Sequence, residues 1–245
     1  MNIIKKEDIY FDRLDMLHCR QASRSYIYIQ DRELVYKILK NPTSQHKEVL
    51  DIFSSYNKDF LIKIKSYIMS ESKGNLLLDG YQYKYIEGDV LQNFIIKNEP
   101  EVYIKVLEET SKKLKEFHSL DGRPVFGDFH FYNIIIDNLL RPHFIDIEDC
   151  GVYDYRCNAL PNEYLDYCDF KDYPIEKNQS ADRLNFMLEL FKNIYGRNVL
   201  SIGDYTFEES LEKHPELSYL KQIYKELNKD HIGIPDVPYL YQLKE

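Results

Sequence analysis

The sequence predicts an α+β fold in which strands come first and helices follow. Three observations carry this expectation. Runs rich in β-forming residues, parted by turn residues, fill the chain up to Tyr85. Apolar residues at helical spacing dominate after Pro100. One short hairpin, Asn133–Ile136 and His143–Ile145, interrupts those helices and carries acidic and amide residues at its base. At 245 residues, 44% hydrophobic and 30% charged, the chain suffices for one large domain or for two modest lobes with a real core.

Taken in order, Ser25–Gln30 (SYIYIQ) and Leu34–Leu39 (LVYKIL) read as strands, with Asp31-Arg32 as the turn between them. Asn41-Pro42-Thr43-Ser44 ends the second strand and offers a helix N-cap, and Gln45–Tyr56 places Val49, Ile52 and Phe53 at helical spacing. Lys63–Met69 is the next expected strand and Gly74-Asn75 a turn. Asp79-Gly80 reads as a hairpin signal between Leu76–Leu78 and Tyr81–Tyr85. The run then leaves through Tyr85-Ile86-Glu87-Gly88-Asp89, where Glu87 and Asp89 can also serve as helix-start acids.

The second part opens with Val90–Ile96. A helix after Pro100 follows, with a core-facing stripe of Tyr103, Val106, Leu107, Thr110, Leu114 and Phe117 and a structural His118 at its end. Beyond Asp149 the chain reads as irregular to about Ser180. Asp182–Tyr195 is then amphipathic, with Gly196 as its cap. Glu208–Leu211 and Glu216–Leu227 suggest two further helices, and Gly233 to the C-terminus an irregular tail packed on the surface.

The chemistry concentrates in Pro124–Asp149, PVFGDFHFYNIIIDNLLRPHFIDIED, where Asp137-Asn138 supplies the turn. A hairpin brings its ends together, so Asn133 and Asp146 should lie side by side, with Asp128 on the loop leading in. Asn133 and Asp146 offer oxygen to a hard cation such as Mg²⁺, which takes one or two such protein ligands beside phosphate oxygens. A carboxylate held nearby, here Asp128, can orient or deprotonate a hydroxyl. These are the parts for phosphoryl transfer from ATP.

The wording GDFHFYN…FIDIED resembles the protein-kinase-like superfamily, and most of all its aminoglycoside phosphotransferase and choline kinase branch, where G-D-x-H-x-x-N and I-D-x-E are typical. The small lipopolysaccharide-core sugar kinases carry a similar loop. The resemblance is sharp over Val125–Asp149, loose over Ser25–Gly88 and only architectural beyond Ser180. It implies a two-lobed protein-kinase-like fold: a β-rich, nucleotide-binding N-lobe over residues 1–86 and a mainly helical C-lobe over 87–245. It implies ATP and Mg²⁺, with Asp128 acting on the acceptor hydroxyl and Asn133 and Asp146 holding the metal. Lys37, in Val35-Tyr36-Lys37-Ile38, would brace the phosphates, with Lys40 as fallback and Glu48 as the carboxylate that fixes the lysine. Tyr85, Ile86 and Glu87 would form the hinge that meets the adenine, and His130 would support the loop's shape.

Three departures stand out. His18–Ser25 has no glycine where kinases cover the phosphates with a Gly-rich loop, so Ser23 and Ser25 are the candidate donors there. Phe126 stands where H-G-D would place a histidine, and no A-P-E motif or long activation segment follows. The last point weighs against a protein serine/threonine kinase. A non-catalytic pseudokinase would be marked by loss of Asp128, Asn133 or Asp146, and all three are present.

A net charge of −9 argues against a nucleic-acid partner, and no apolar run of 18 residues is available for a membrane span. Cys19, Cys150, Cys157 and Cys168 form no C-x-x-C pair, and MNIIKKEDIYFDR is too charged for a secretory signal. Reduced thiols and a cytoplasmic location are the expectation. The partner is then a small-molecule hydroxyl acceptor. From Asp146 to Asp182 there are ten acidic residues and three basic ones, interleaved with six aromatic residues. Carboxylates and aromatic faces suit a cation, so an aminoglycoside, another amino sugar or a choline-like amine is expected, with a neutral or glycan sugar as the competing choice.

Overall fold

The computed structural model describes residues 1–17, 24–127, 129–155, 157–158, 175–195 and 237–244. They form a mixed α+β structure. A six-stranded sheet is built from β1 (Asn2–Lys5), β2 (Asp15–Leu17), β3 (Ser25–Gln30), β4 (Leu34–Leu39), β5 (Ile64–Ser72) and β6 (Asn75–Lys84). Its spatial order is β1-β5-β6-β4-β3-β2. Helix α1 (Ser44–Ser55) lies in sequence between β4 and β5.

The β3–β4 hairpin falls where β-propensity placed it. Its turn has positive φ at both Asp31 (51°) and Arg32 (55°), and the Glu33 N–H donates to the Gln30 carbonyl at 2.8 Å. That is the turn hand that matches strand twist. Helix α1 is capped by Thr43, whose hydroxyl accepts from the His46 N–H while the His46 ring meets the Thr43 N–H.

One turn expectation is corrected. Asp79-Gly80 is not a hairpin tip, because β6 runs unbroken through it and pairs with β5 on one side and β4 on the other. The real tip is Lys73-Gly74, with φ of 51° and 77°. Asp79 is instead the extra residue of a bulge, where pairing slips between Ile68/Gly80 and Met69/Leu78. Gly80 is required for packing: a Cβ there would lie 2.0 Å from the Lys37 carbonyl oxygen. The N-terminal strand β1, parallel to β5, and the strand β2 had no clear sequence signal because both are short and mostly exposed.

The chain then continues through β7 (Gly88–Val90), α2 (Leu91–Lys97), α3 (Pro100–His118) and β8 (Pro124–Val125). The expected hairpin follows as β9 (Ile134–Asp137) and β10 (Pro142–Phe144), paired antiparallel with Ile134 opposite Phe144. Strand β7 adds to its outer side. Strands β11 (Gly151–Val152) and β12 (Cys157–Asn158) complete a second small sheet with β8. Helix α4 (Ile175–Tyr195) begins seven residues before the expected Asp182. The expected helices at 208–211 and 216–227, and Gly196, lie outside the described residues. The C-terminal segment is more than a surface tail, since Val237 and Leu240 are buried in the main core.

One hydrophobic cluster joins the sheet to the helices, running from Val35 and Tyr81 through Phe117 and Phe144 to Phe186 and Leu190. The β9–β10 turn is closed by Asp137, which accepts from the N–H groups of Leu139 and Arg141, the Arg141 guanidinium and the His143 ring. Burial alone would raise this carboxyl's pKa, but those donors hold it well below the usual carboxylate range. A depressed folded pKa gives stability that is present above the unfolded value of about 3.9 and is lost as pH falls further. Asp137→Asn should therefore lower the urea midpoint at pH 7, and the gap from wild type should narrow as pH drops below about 4. A gap that does not change with pH would contradict this account of the turn.

Candidate active site

Lys37 is placed by strand register. Ile27, Lys37, Tyr81 and Tyr67 are successive partners across β3, β4, β6 and β5, so their side chains share one face of the sheet. Lys37 is only 1% exposed. Its amine lies 2.7 Å from Asp146 Oδ1 and also against Glu148 Oε1. Burial pulls the pKa of an ammonium down. The Asp146 and Glu148 carboxylates outweigh that pull, so Lys37 stays charged with its pKa above the usual lysine value.

The helix-borne carboxylate expected beside Lys37 is not there. Glu48 is exposed on α1, in a surface hollow it shares with Lys47, Asp51 and Tyr155. The helix turns Val49, Leu50 and Phe53 to the core, which points Glu48 outward. Asp51, the other acid of this helix, bonds the Tyr67 hydroxyl at 2.7 Å and the Lys47 amine at 2.6 Å. The fallback Lys40 is exposed and stacks on Tyr26.

At the base of the hairpin the chain ends are joined through the backbone. The Ile145 N–H donates to the Asn133 carbonyl at 2.9 Å, which sets Asn133 beside the residue before Asp146. Asp146 adopts a left-handed conformation, φ 60° and ψ 34°, which turns the chain sharply into Ile147–Asp149. Glu148 points inward, and the Tyr81 hydroxyl donates to its Oε2 at 2.5 Å. Burial first, and then the Glu148 charge, raises the Tyr81 pKa well above normal. Asp149 faces the start of α1, 3.4 Å from the His46 ring and 3.8 Å from Arg24. Two carboxylates of this turn thus meet Lys37, while the third, Asp149, faces Arg24 and His46. Asp146 is half-buried, and among the described residues no group of three or more His, Cys, Asp or Glu side chains is arranged to hold a metal ion.

The loop leading into the hairpin is gripped from α4. Asp182 is fully buried and accepts from the Phe126 N–H at 2.6 Å, the Gly127 N–H at 2.8 Å and the His118 ring at 2.9 Å. His118 also meets the Tyr239 hydroxyl at 2.8 Å, as befits a structural histidine. Gly127 has φ 79°, where a side chain would be strained. The Phe126 and Phe129 rings pack 5.1 Å apart within the aromatic core, and His130 lies 3.5 Å from Glu189 of α4. Asp128 lies outside the described residues, but both of its chain neighbours are fixed in this way.

Ser23 likewise lies outside the described residues. Ser25 is buried at the start of β3. Tyr85 and Ile86 are half-buried and Glu87 is exposed where β6 passes into β7. The Tyr85 N–H is already bonded to the Glu33 carbonyl at 2.8 Å. Sequence reasoning missed Tyr81 and Asp182. Tyr81 could have been found by pairing the strands on Lys37, whereas Asp182 entered only as the first residue of the amphipathic stretch to Tyr195.

No protein-family model matches the chain, and no curated protein matches it at a significant level.

Asp182→Ala would strand the buried Phe126 N–H, the part-buried Gly127 N–H and the His118 imidazole, a buried unsatisfied group costing about 1–3 kcal/mol. Urea unfolding should show a loss of several kcal/mol. A loss below about 1 kcal/mol would mean that α4 does not hold this loop.

Proposed function

We propose that the chain is an ATP-dependent phosphotransferase that moves the γ-phosphate to a hydroxyl of a small molecule. In this reading it has a two-lobed protein-kinase-like fold, with residues 1–86 as the nucleotide-binding lobe and 87–245 as the lobe that carries the loop, the metal ligands and the acceptor. The observation that carries the reading is the meeting of Lys37 with Asp146 at the base of the hairpin that begins beside Asn133. These residues come from distant stretches of chain, and the sequence motif had assigned each of them to the same reaction.

The roles follow from the chemistry. Asp128 accepts the proton of the acceptor hydroxyl as its oxygen attacks the γ-phosphorus and ADP departs. Lys37 sets a fixed positive charge against the phosphates. Asn133 and Asp146 would hold Mg²⁺, which when bound neutralises charge on the phosphate oxygens. The Asp146 side chain is 29% exposed and so keeps access to solvent, which supports that role. Ile86 and Glu87 would meet the adenine. The stretch from Asp146 to Asp182, rich in acids and tyrosines, supports a cationic acceptor, although 159–174 lie outside the described residues.

Asp128→Asn should fold normally and lower kcat by roughly 10²–10⁴, the usual contribution of a positioned general base. Asp146→Ala should abolish Mg²⁺-dependent turnover. Near-normal turnover in either variant would refute the assigned role. For the acceptor, kcat/KM should be higher for cationic hydroxyl compounds than for neutral sugars, and it should fall as salt screens the acidic surface. A preference for neutral or acidic sugars that is insensitive to salt would overturn the acceptor class.

A further inference from the structure

We propose that Glu148, held by the Tyr81 hydroxyl, is the positioning residue for Lys37, and that the lysine is therefore anchored by strand and turn and not by helix α1. This rests on the phosphotransferase reading and names how its phosphate-facing charge is fixed.

Lys37 touches two carboxylates whose surroundings differ. The Glu148 side chain is 2% exposed, against 29% for Asp146. Glu148 is also bonded on its second oxygen by Tyr81, so its two oxygens have separate buried partners, Lys37 Nζ and Tyr81 Oη. A carboxylate gripped at both ends in a dry site has nowhere else to go. Asp146 reaches the same amine from a left-handed turn at the edge of solvent. Of the two, it is the one nearer to solvent.

The sheet explains why the anchor comes from the turn and not from the helix. Lys37 and Tyr81 are direct cross-strand partners, and Gly80 lets β6 approach the Lys37 backbone more closely than any side chain would permit. The next residue of that row, Tyr67, engages Asp51 of α1. The two tyrosines thus sort the acids: Tyr67 keeps the helix acid, and Tyr81 presents Glu148 to the lysine. Glu48, exposed on α1, is not among the partners of Lys37.

The test compares the full-length wild type with Glu148→Gln, Tyr81→Phe and Glu48→Gln. Two readouts are taken: affinity for ATP and for adenosine, and the rate at which acetic anhydride modifies Lys37, followed by mass spectrometry. Glu148→Gln should weaken ATP binding about tenfold and Tyr81→Phe about threefold, with adenosine binding unchanged because adenosine carries no phosphate for Lys37 to meet. Both variants should raise Lys37 labelling several-fold, and Glu48→Gln should match wild type in every readout. Tyr81→Phe removes a single hydroxyl and so carries the test if Glu148→Gln fails to fold. If wild type binds ATP and the Glu148 and Tyr81 variants bind it equally well, the positioning role is overturned. A loss of ATP affinity in Glu48→Gln overturns it too. Failure of wild type to bind ATP would overturn the phosphotransferase reading itself. Labelling that rises only in the Glu148 and Tyr81 variants would then show that the anchor exists without that function.

Discussion

An ammonium group that is 1% exposed persists only because two carboxylates meet it. Removing a charge from water costs several kcal/mol after relaxation, and the mutual attraction recovers that only where geometry and further hydrogen bonds are good. Lys37 satisfies both conditions. Its strand neighbours fix its position, Glu148 is bonded again by Tyr81, and Asp146 is held at the start of a sharp turn. Removing one member would leave an uncompensated buried charge. The network therefore constrains strand pairing in the sheet, the β9–β10 hairpin and the turn after it, all at once.

A second set of constraints acts on the loop before the hairpin. Asp182 holds the backbone of Phe126 and Gly127, while the rings of Phe126 and Phe129 are locked in an aromatic core. The loop is thus held on both flanks, at Phe126-Gly127 and at Phe129. The group that grips the loop comes from α4, more than fifty residues later in the chain. The site is thus a product of tertiary packing as much as of the local motif.

The legible parts of the sequence were those fixed by local physics. The strands Ser25–Gln30 and Leu34–Leu39, a helix cap within Asn41-Pro42-Thr43-Ser44, the helix after Pro100 and the hairpin around Asp137 all follow from propensity, capping and turn chemistry. The failures share a cause. Asp79-Gly80 has turn composition, but Gly80 is there so that β6 can approach β4 closely. Glu48 occupied the expected place in sequence, yet the apolar stripe of α1 turns it to solvent, and the lysine finds its second acid a hundred residues further on. Close approach of strands and the rotation of a helix about its axis depend on the rest of the fold, which a single stretch of sequence does not report.

The central claim is that Lys37, Asn133 and Asp146 serve one phosphate-bearing ligand. It is tested most directly by a crystal structure of the chain with Mg²⁺ and a non-hydrolysable ATP analogue. The account predicts the terminal phosphates against the Lys37 amine, the metal between Asn133 and Asp146, and Glu148 still bonded to Lys37 and Tyr81. A nucleotide bound elsewhere, or no nucleotide at saturating concentration with Lys37 still paired to Asp146, would contradict it.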